Sequence, residues 1–386
     1  MLFDTELVHI PSVIFLSGSS TLDIYDAKYL AANNDVVVVS IQYRVGPLGF
    51  LTINTGTGSA PGNMGLWDQR MALDWVQRNI HWFSGNASDV TLMGESAGAA
   101  SVGIFLICDI CRHLYHKAIL QSGSPVAPWA VLPKKEVWRR SERLAKDVGC
   151  YQEDDPDYMV TCLRTKNASE FIDHEWNSLN SVIAQFPFVP VIYGILIKRD
   201  PSFMLRDGEF NKVPLLLGSN ENEATFFMVY FSQYFHRDTE SEISPTYYRN
   251  FMEKSAFSSW PHHPHILNRF GKDAVMFHYR NWLDPENGIE NRKSIDRAVS
   301  DSYFVCSVNS LARAYARESQ DVYYYWFSHR WSANPWPEWM GVIHADELWF
   351  TFGHPFNNSS PYSFTEEEKK LSDKMMTYWT NFAKTG

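Results

Sequence analysis

Two hydrophobic periods alternate along the chain. The run Val36 to Tyr43 (VVVVSIQY) is dominated by β-branched residues, which predicts a strand covered on both faces within a parallel sheet. After a Gly-rich stretch through Gly65, the segment LWDQRMALDWVQRNI sets Leu66, Met71, Leu73, Trp75 and Val76 among polar residues at approximately helical spacing. Asp89 to Met93 (DVTLM) reads as a second strand, and GESAGAASVGIFL behind it as a turn and a helix. Lys117 to Gln121, Val213 to Leu217 and Val322 to Ser328 (VYYYWFS) read as strands, and Trp138 to Val148 and Ser300 to Arg317 as helices with apolar and charged faces. The last segment, Thr365 to Lys384, opens on Thr365 followed by Glu366 to Glu368, the signature of a helix N-terminus, and turns Leu371, Met375, Trp379 and Phe382 inward. Strands and helices in this order predict an α/β fold. No repeat, low-complexity tract or long linker divides the chain, and His262 to His265 (HHPH), broken by Pro264, reads as a surface loop.

Composition narrows the class. The 386 residues are 45% hydrophobic and 20% charged, which excludes disordered, collagen-like and coiled-coil chains. A net charge of −10 has the wrong sign for nucleic-acid binding and suits cationic partners better. No apolar run reaches the roughly eighteen residues of a membrane-spanning helix. The opening MLFDTELVHIPSVIFL lacks the positive start of a secretory signal, because Asp4 and Glu6 stand there. Acceptor sequons at Asn86, Asn167, Asn357 and Asn358 nonetheless point to export. Cys150 and Cys162 flank an acidic, turn-rich segment short enough to close as a disulfide loop, two free thiols being the alternative. Cys108 and Cys111 form a lone C-x-x-C with no second pair or histidine partner, so no metal site is expected there. Cys306 has no evident mate.

The strongest chemical signal is Gly94-Glu95-Ser96-Ala97-Gly98, a G-x-S-x-G elbow between a predicted strand and a predicted helix. Glycines on both sides of Ser96 allow a sharp turn that holds its hydroxyl above the sheet, and the Ala97 N–H that follows faces a developing oxyanion. A serine hydroxyl is a weak nucleophile and needs a base, which in turn needs an orienting carboxylate, in the chain order Ser, Asp/Glu, His. Order alone does not choose among His329, His344 and His354.

From about Phe15 to Gly386 the sequence resembles the cholinesterases of the type-B carboxylesterase family. SGSSTLDIYDAKYL, VSIQYRVGPLGFL, APGNMGLWDQRMALDWVQRNI, GESAGAASVG, AILQSGSP, FVPVI, PEWMGVIHADELWF and MTYWTNFAKTG look like family blocks in family order. The resemblance implies an α/β-hydrolase fold with Ser96 as nucleophile, Glu223 in GSNENEATFF as triad acid, with Glu221 its nearest rival, and His344 in GVIHADE as general base. It implies that Glu95 is a further carboxylate suited to a cationic substrate or to the imidazolium. By the same resemblance Phe226 and Tyr230 are aromatics for a quaternary ammonium, Trp176 a rim aromatic, and Trp129 and Phe186 acyl-pocket residues. Ala184 stands where acetyl-selective members often carry a second bulky ring, which widens the expected acyl pocket; Trp336, Trp339 and Glu347 read as structural support. A small ester substrate, no cofactor, no metal and an extracellular setting follow, with a homo-oligomer left open.

The main departure lies upstream. Where the family has an H-G-G-G-F-like loop donating backbone N–H groups to the oxyanion, this chain reads Ser12-Val13-Ile14-Phe15. Residues 1–14 are therefore expected to stand apart as an atypical segment, with a hydrolase domain over 15–386 that is incomplete at both ends and lacks the mate of Cys306. Three readings stay open: a cholinesterase-type hydrolase slowed by the missing glycines, a general carboxylesterase acting on neutral esters, and a non-catalytic adhesion protein of the same family.

Overall fold

The computed structural model describes residues 5–11, 15–53, 60–179, 185–256 and 267–386. Ser12 to Ile14, Ala184 and His262 to His265 lie outside the described residues. Six strands, β1 (Glu6–Ile10), β2 (Val37–Ser40), β3 (Val90–Glu95), β4 (Lys117–Gln121), β5 (Leu215–Asn220) and β6 (Val322–Phe327), form a sheet in the order β6-β5-β4-β3-β1-β2. Every neighbouring pair in it is parallel. Helices α1 (Met64–Asn79), α2 (Ala97–Leu106), α3 (Lys134–Asp147), α4 (Glu223–Phe231), α5 (Gly288–Ser300), α6 (Cys306–Arg317) and α7 (Glu366–Thr385) supply its main cover.

Successive strand residues point to opposite faces, so each strand feeds two cores. Val8, Leu92, Leu120 and Leu217 enter one apolar cluster, while their neighbours Leu7, Met93, Ile119 and Leu216 enter the other. The second cluster is closed by α7, where Met375, Trp379 and Phe382 are buried and Leu371 is half-buried. Thr365 caps that helix reciprocally: its hydroxyl accepts the Glu368 N–H at 3.2 Å, and the Glu368 carboxylate accepts the Thr365 N–H at 2.7 Å.

Several elements depart from the sequence expectation. Residues 5–11 do not stand apart, because β1 lies inside the sheet between β2 and β3. Its two polar residues, Glu6 and His9, are fully buried, and that polarity hid the strand in the sequence. Burial raises the Glu6 carboxyl to about 7 and pushes the His9 imidazole down to about 3, so neither carries a full buried charge near neutrality. Strand β2 is covered on both faces, by one cluster at Val37 and Val39 and by the other at Val38. Its residues are only half-buried, since it is an edge of the described sheet. In α1, Leu66, Leu73 and Val76 are buried while Met71 and Trp75 face outward. The predicted helix Ser300 to Arg317 is the second half of a longer rod: α5 continues through a π-helical turn, Asp301–Val305, into α6. Strand β5 runs on into Gly218, Ser219 and Asn220, a polar end that its apolar start did not announce.

Cys150 and Cys162 form a disulfide, and Cys306 is free and exposed. Cys108 and Cys111, read as an isolated pair, are also joined; both are buried behind the C-terminal end of α2. Asn86, Asn167 and Asn358 are exposed, and Asn357 is half-buried. No helix among the described residues is long and apolar enough to cross a membrane.

Candidate active site

Ser96 sits between β3 and α2 with φ 52° and ψ −117°, a left-handed turn that non-glycine residues adopt only under constraint. The constraint comes from packing on both sides. A Cβ at Gly98 would meet the Ile10 carbonyl oxygen at 2.1 Å, and one at Gly94 would meet the Gly98 backbone at 2.4 Å, so only glycine lets α2 approach β1 and β3 this closely. The Ser96 N–H donates to the Gln121 carbonyl at 2.8 Å, tying the elbow to β4. Ser96 is 4% exposed, and Ala97 opens α2 directly behind it.

Glu223 opens α4 just beyond the end of β5 and is fully buried. One carboxylate oxygen accepts the Asn220 N–H at 2.7 Å, and the other lies 2.5 Å from His344 Nδ1. Asn220 also donates from its side chain to the Ile343 carbonyl at 2.9 Å and to Glu347 at 2.6 Å. One asparagine thus braces Glu223, the loop that carries His344 and a second buried carboxylate. Glu347 is further held by Gln121 at 3.1 Å, and burial, with the Glu223 charge adding to it, raises its carboxyl above the usual range.

The rival residues are placed elsewhere. Glu221 is exposed, His329 faces Glu368 at 3.3 Å, and His354 meets the Ile24 carbonyl at 3.0 Å. His344 Nε2 makes no hydrogen bond to Ser96; it stands 3.1 Å from Glu95, the residue before the serine. Burial opposes charge on this ring, but the carboxylates of Glu95 and Glu223 outweigh it and raise the imidazole to about 9. Serine–histidine bonds often tighten only when substrate is bound. The raised value also carries a sign for stability. The contribution of this charge to folding is complete below about pH 6.5 and is lost as pH rises through about 9.

Two rings missed in the sequence pack on His344: Phe227, with centroids 5.0 Å apart, and Phe304, at 4.8 Å. Phe227 was legible as the residue one helical turn beyond Glu223, whereas Phe304 lies in the π-helical turn and gave no local signal. Trp129 is buried against Phe304 at 5.8 Å and donates its indole N–H to the Tyr303 carbonyl at 2.9 Å. Phe226 lies 4.9 Å from Tyr230 and 5.5 Å from Trp336, a three-ring group of which Tyr230 is exposed. Phe186 and Trp176 belong to a separate group, each about 6 Å from Phe231 (6.2 and 6.0 Å).

A parallel sheet with an α/β order and a serine elbow beyond a central strand defines an α/β-hydrolase. The chain belongs to the carboxylesterase family, whose sequence model matches residues 5–386 and thereby takes in β1. It is similar to acetylcholinesterase of Bungarus fasciatus, 45% identical over 96% of this chain and 60% of that protein. It is 43% identical to acetylcholinesterase of Electrophorus electricus over 99% of this chain and 63% of that protein. It is also 42% identical to the Danio rerio acetylcholinesterase, again over 63% of that protein. The chain thus spans about three-fifths of the length of these relatives.

Proposed function

We propose that this protein is a serine ester hydrolase of cholinesterase type, acting on choline esters in an extracellular setting. In this reading Ser96 attacks the ester carbonyl, His344 takes its proton and later returns one to the leaving alcohol, and water then releases the acyl group from Ser96. Glu223 fixes the ring and stabilises the imidazolium, and the Ala97 N–H donates to the oxyanion. The observation that carries the reading is the 2.5 Å contact between His344 Nδ1 and Glu223 beside a serine held at positive φ. The acetylcholinesterase relatives support it, as do the two disulfides and the exposed sequons for the extracellular part.

The preference for a cationic alcohol rests on Glu95 and on the rings of Phe226 and Tyr230. This arrangement has a consequence for pH. A base raised to about 9 is only about one-hundredth neutral at pH 7, so the free enzyme acylates faster as pH rises toward 9. A quaternary ammonium seated near Glu95 offsets the charge that raises His344 and frees the base. The rise in kcat for a choline ester is therefore expected at lower pH than the rise in kcat/KM, while an isosteric neutral ester shows both at the same pH. Glu95→Gln is expected to lower the kcat/KM limb for both substrates. Coincident limbs for the two esters would favour a general carboxylesterase, and failure of both esters to turn over at any pH would favour a non-catalytic role.

A further inference from the structure

Glu223 is held through its neighbours as well as through its own carboxylate. Asp296 and Ser300 lie four residues apart on α5, on one face of the helix, and both are buried. Asp296 accepts a hydrogen bond from the Asn222 side-chain NH2 at 2.7 Å and another from the Ser300 hydroxyl at 3.0 Å. The Ser300 oxygen in turn accepts the Ala224 N–H at 3.0 Å. The residues before and after Glu223 are thus both tied to one carboxylate. Asn222 extends the tie to the histidine loop: its side-chain oxygen accepts the Val342 N–H at 2.9 Å, and its own N–H donates to the Val342 carbonyl at 2.9 Å, two residues before His344.

We propose that Asp296 is a positioning residue for this site, gripping both chain neighbours of Glu223 and, through Asn222, setting the direction in which Glu223 meets His344. Burying a carboxylate is costly compared with packing an apolar residue of the same size, so its bonds define geometry rather than add bulk stability. The Glu223–His344 contact joins the start of α4 to a loop more than a hundred residues away, and Asn222 and Asp296 give the two a common anchor. The inference rests on the proposed esterase reading for its kinetic effect, but its geometric effect is independent of it.

The test uses Asp296→Ala, Asn222→Asp and the exchange N222D/D296N in the full chain. The exchange keeps every side-chain bond. The carboxylate it places on the residue before Glu223 accepts the Val342 N–H and an N–H from the amide it places on α5, and that amide's oxygen still accepts from the Ser300 hydroxyl. Two readouts are compared: the far-downfield proton resonance of His344 Nδ1–H, and the rate at which a fluorophosphonate labels Ser96. Asp296→Ala and Asn222→Asp are expected to shift or erase the resonance and to slow labelling about a hundredfold, as misplacement of a catalytic group by about 1 Å does. KM for an ester is expected to stay unchanged, and the exchange to restore both readouts. Parental resonance and labelling in Asp296→Ala would overturn the proposal, as would an exchange that restores neither. Should Asp296→Ala not fold, Asn222→Asp and the exchange decide in the same way. A parent chain that shows the resonance but is not labelled overturns the esterase reading alone, and the resonance still judges the positioning role.

Discussion

Replacing His344 with alanine is expected to lower turnover by about a millionfold, and Glu223→Gln by about ten-thousandfold. The difference follows from what each side chain does in the proposed reaction. Without His344 the site loses its imidazole: the carboxylates that act on the ring are those of Glu223, Glu95 and Glu347, and none replaces a group that must both take and return a proton. Glu223→Gln leaves the ring in place but offers an amide to Nδ1. Its NH2 favours the tautomer protonated on Nε2, which cannot act as base toward Ser96, and the imidazolium loses one of the charges that hold it near 9. Its pH limb is therefore expected at lower pH as well as lower height. Initial rates of ester hydrolysis from acid through alkaline pH, with circular dichroism to verify folding, check both variants. A His344→Ala loss of only about tenfold would remove this residue from the chemistry.

Most of the scaffold was legible where local pattern and burial agree. The fourth strand matches its sequence expectation residue for residue, because KAILQ is apolar within and bounded by polar turns. The reading failed where tertiary contacts override local polarity. Glu6 and His9 are ordinary surface residues by type, yet β1 buries both between two strands. Ser219 and Asn220 end β5 inside the protein, where the Asn220 side chain bonds to the Ile343 carbonyl and to Glu347. At the site itself, the elbow was readable because Gly94 and Gly98 are required by close backbone approach and leave a fixed spacing. His344 was distinguishable from His329 and His354 only through the resemblance, since what separates them is the company of Glu223 and Glu95. The anchoring role of Asp296 left no trace in the sequence, for it depends on a helix more than seventy residues downstream meeting the flanks of Glu223.

The second large effect concerns the oxyanion. Replacing Ser12-Val13-Ile14 with Gly-Gly-Gly is expected to raise kcat for a choline ester by about a hundred- to a thousandfold, the typical worth of one oxyanion donor, roughly 2.7 to 4 kcal/mol. The argument is from residue type. Val and Ile have backbone N–H groups, but β-branched side chains resist positive φ and obstruct the close approach of a substrate oxygen that glycine permits. The Ala97 N–H at the start of α2 is then left as the donor that does not depend on this loop. Because the donors act on the tetrahedral intermediate, the gain is expected in kcat, with KM nearly unchanged. Labelling of Ser96 by a fluorophosphonate, which also builds negative charge on oxygen, should accelerate in parallel. The same triple-glycine background supplies the signal needed to measure a roughly millionfold loss in His344→Ala. Equal turnover with and without the glycines would mean that Ser12 to Ile14 supply adequate donors as they stand, and the slowing expected from the missing glycines would have to be abandoned.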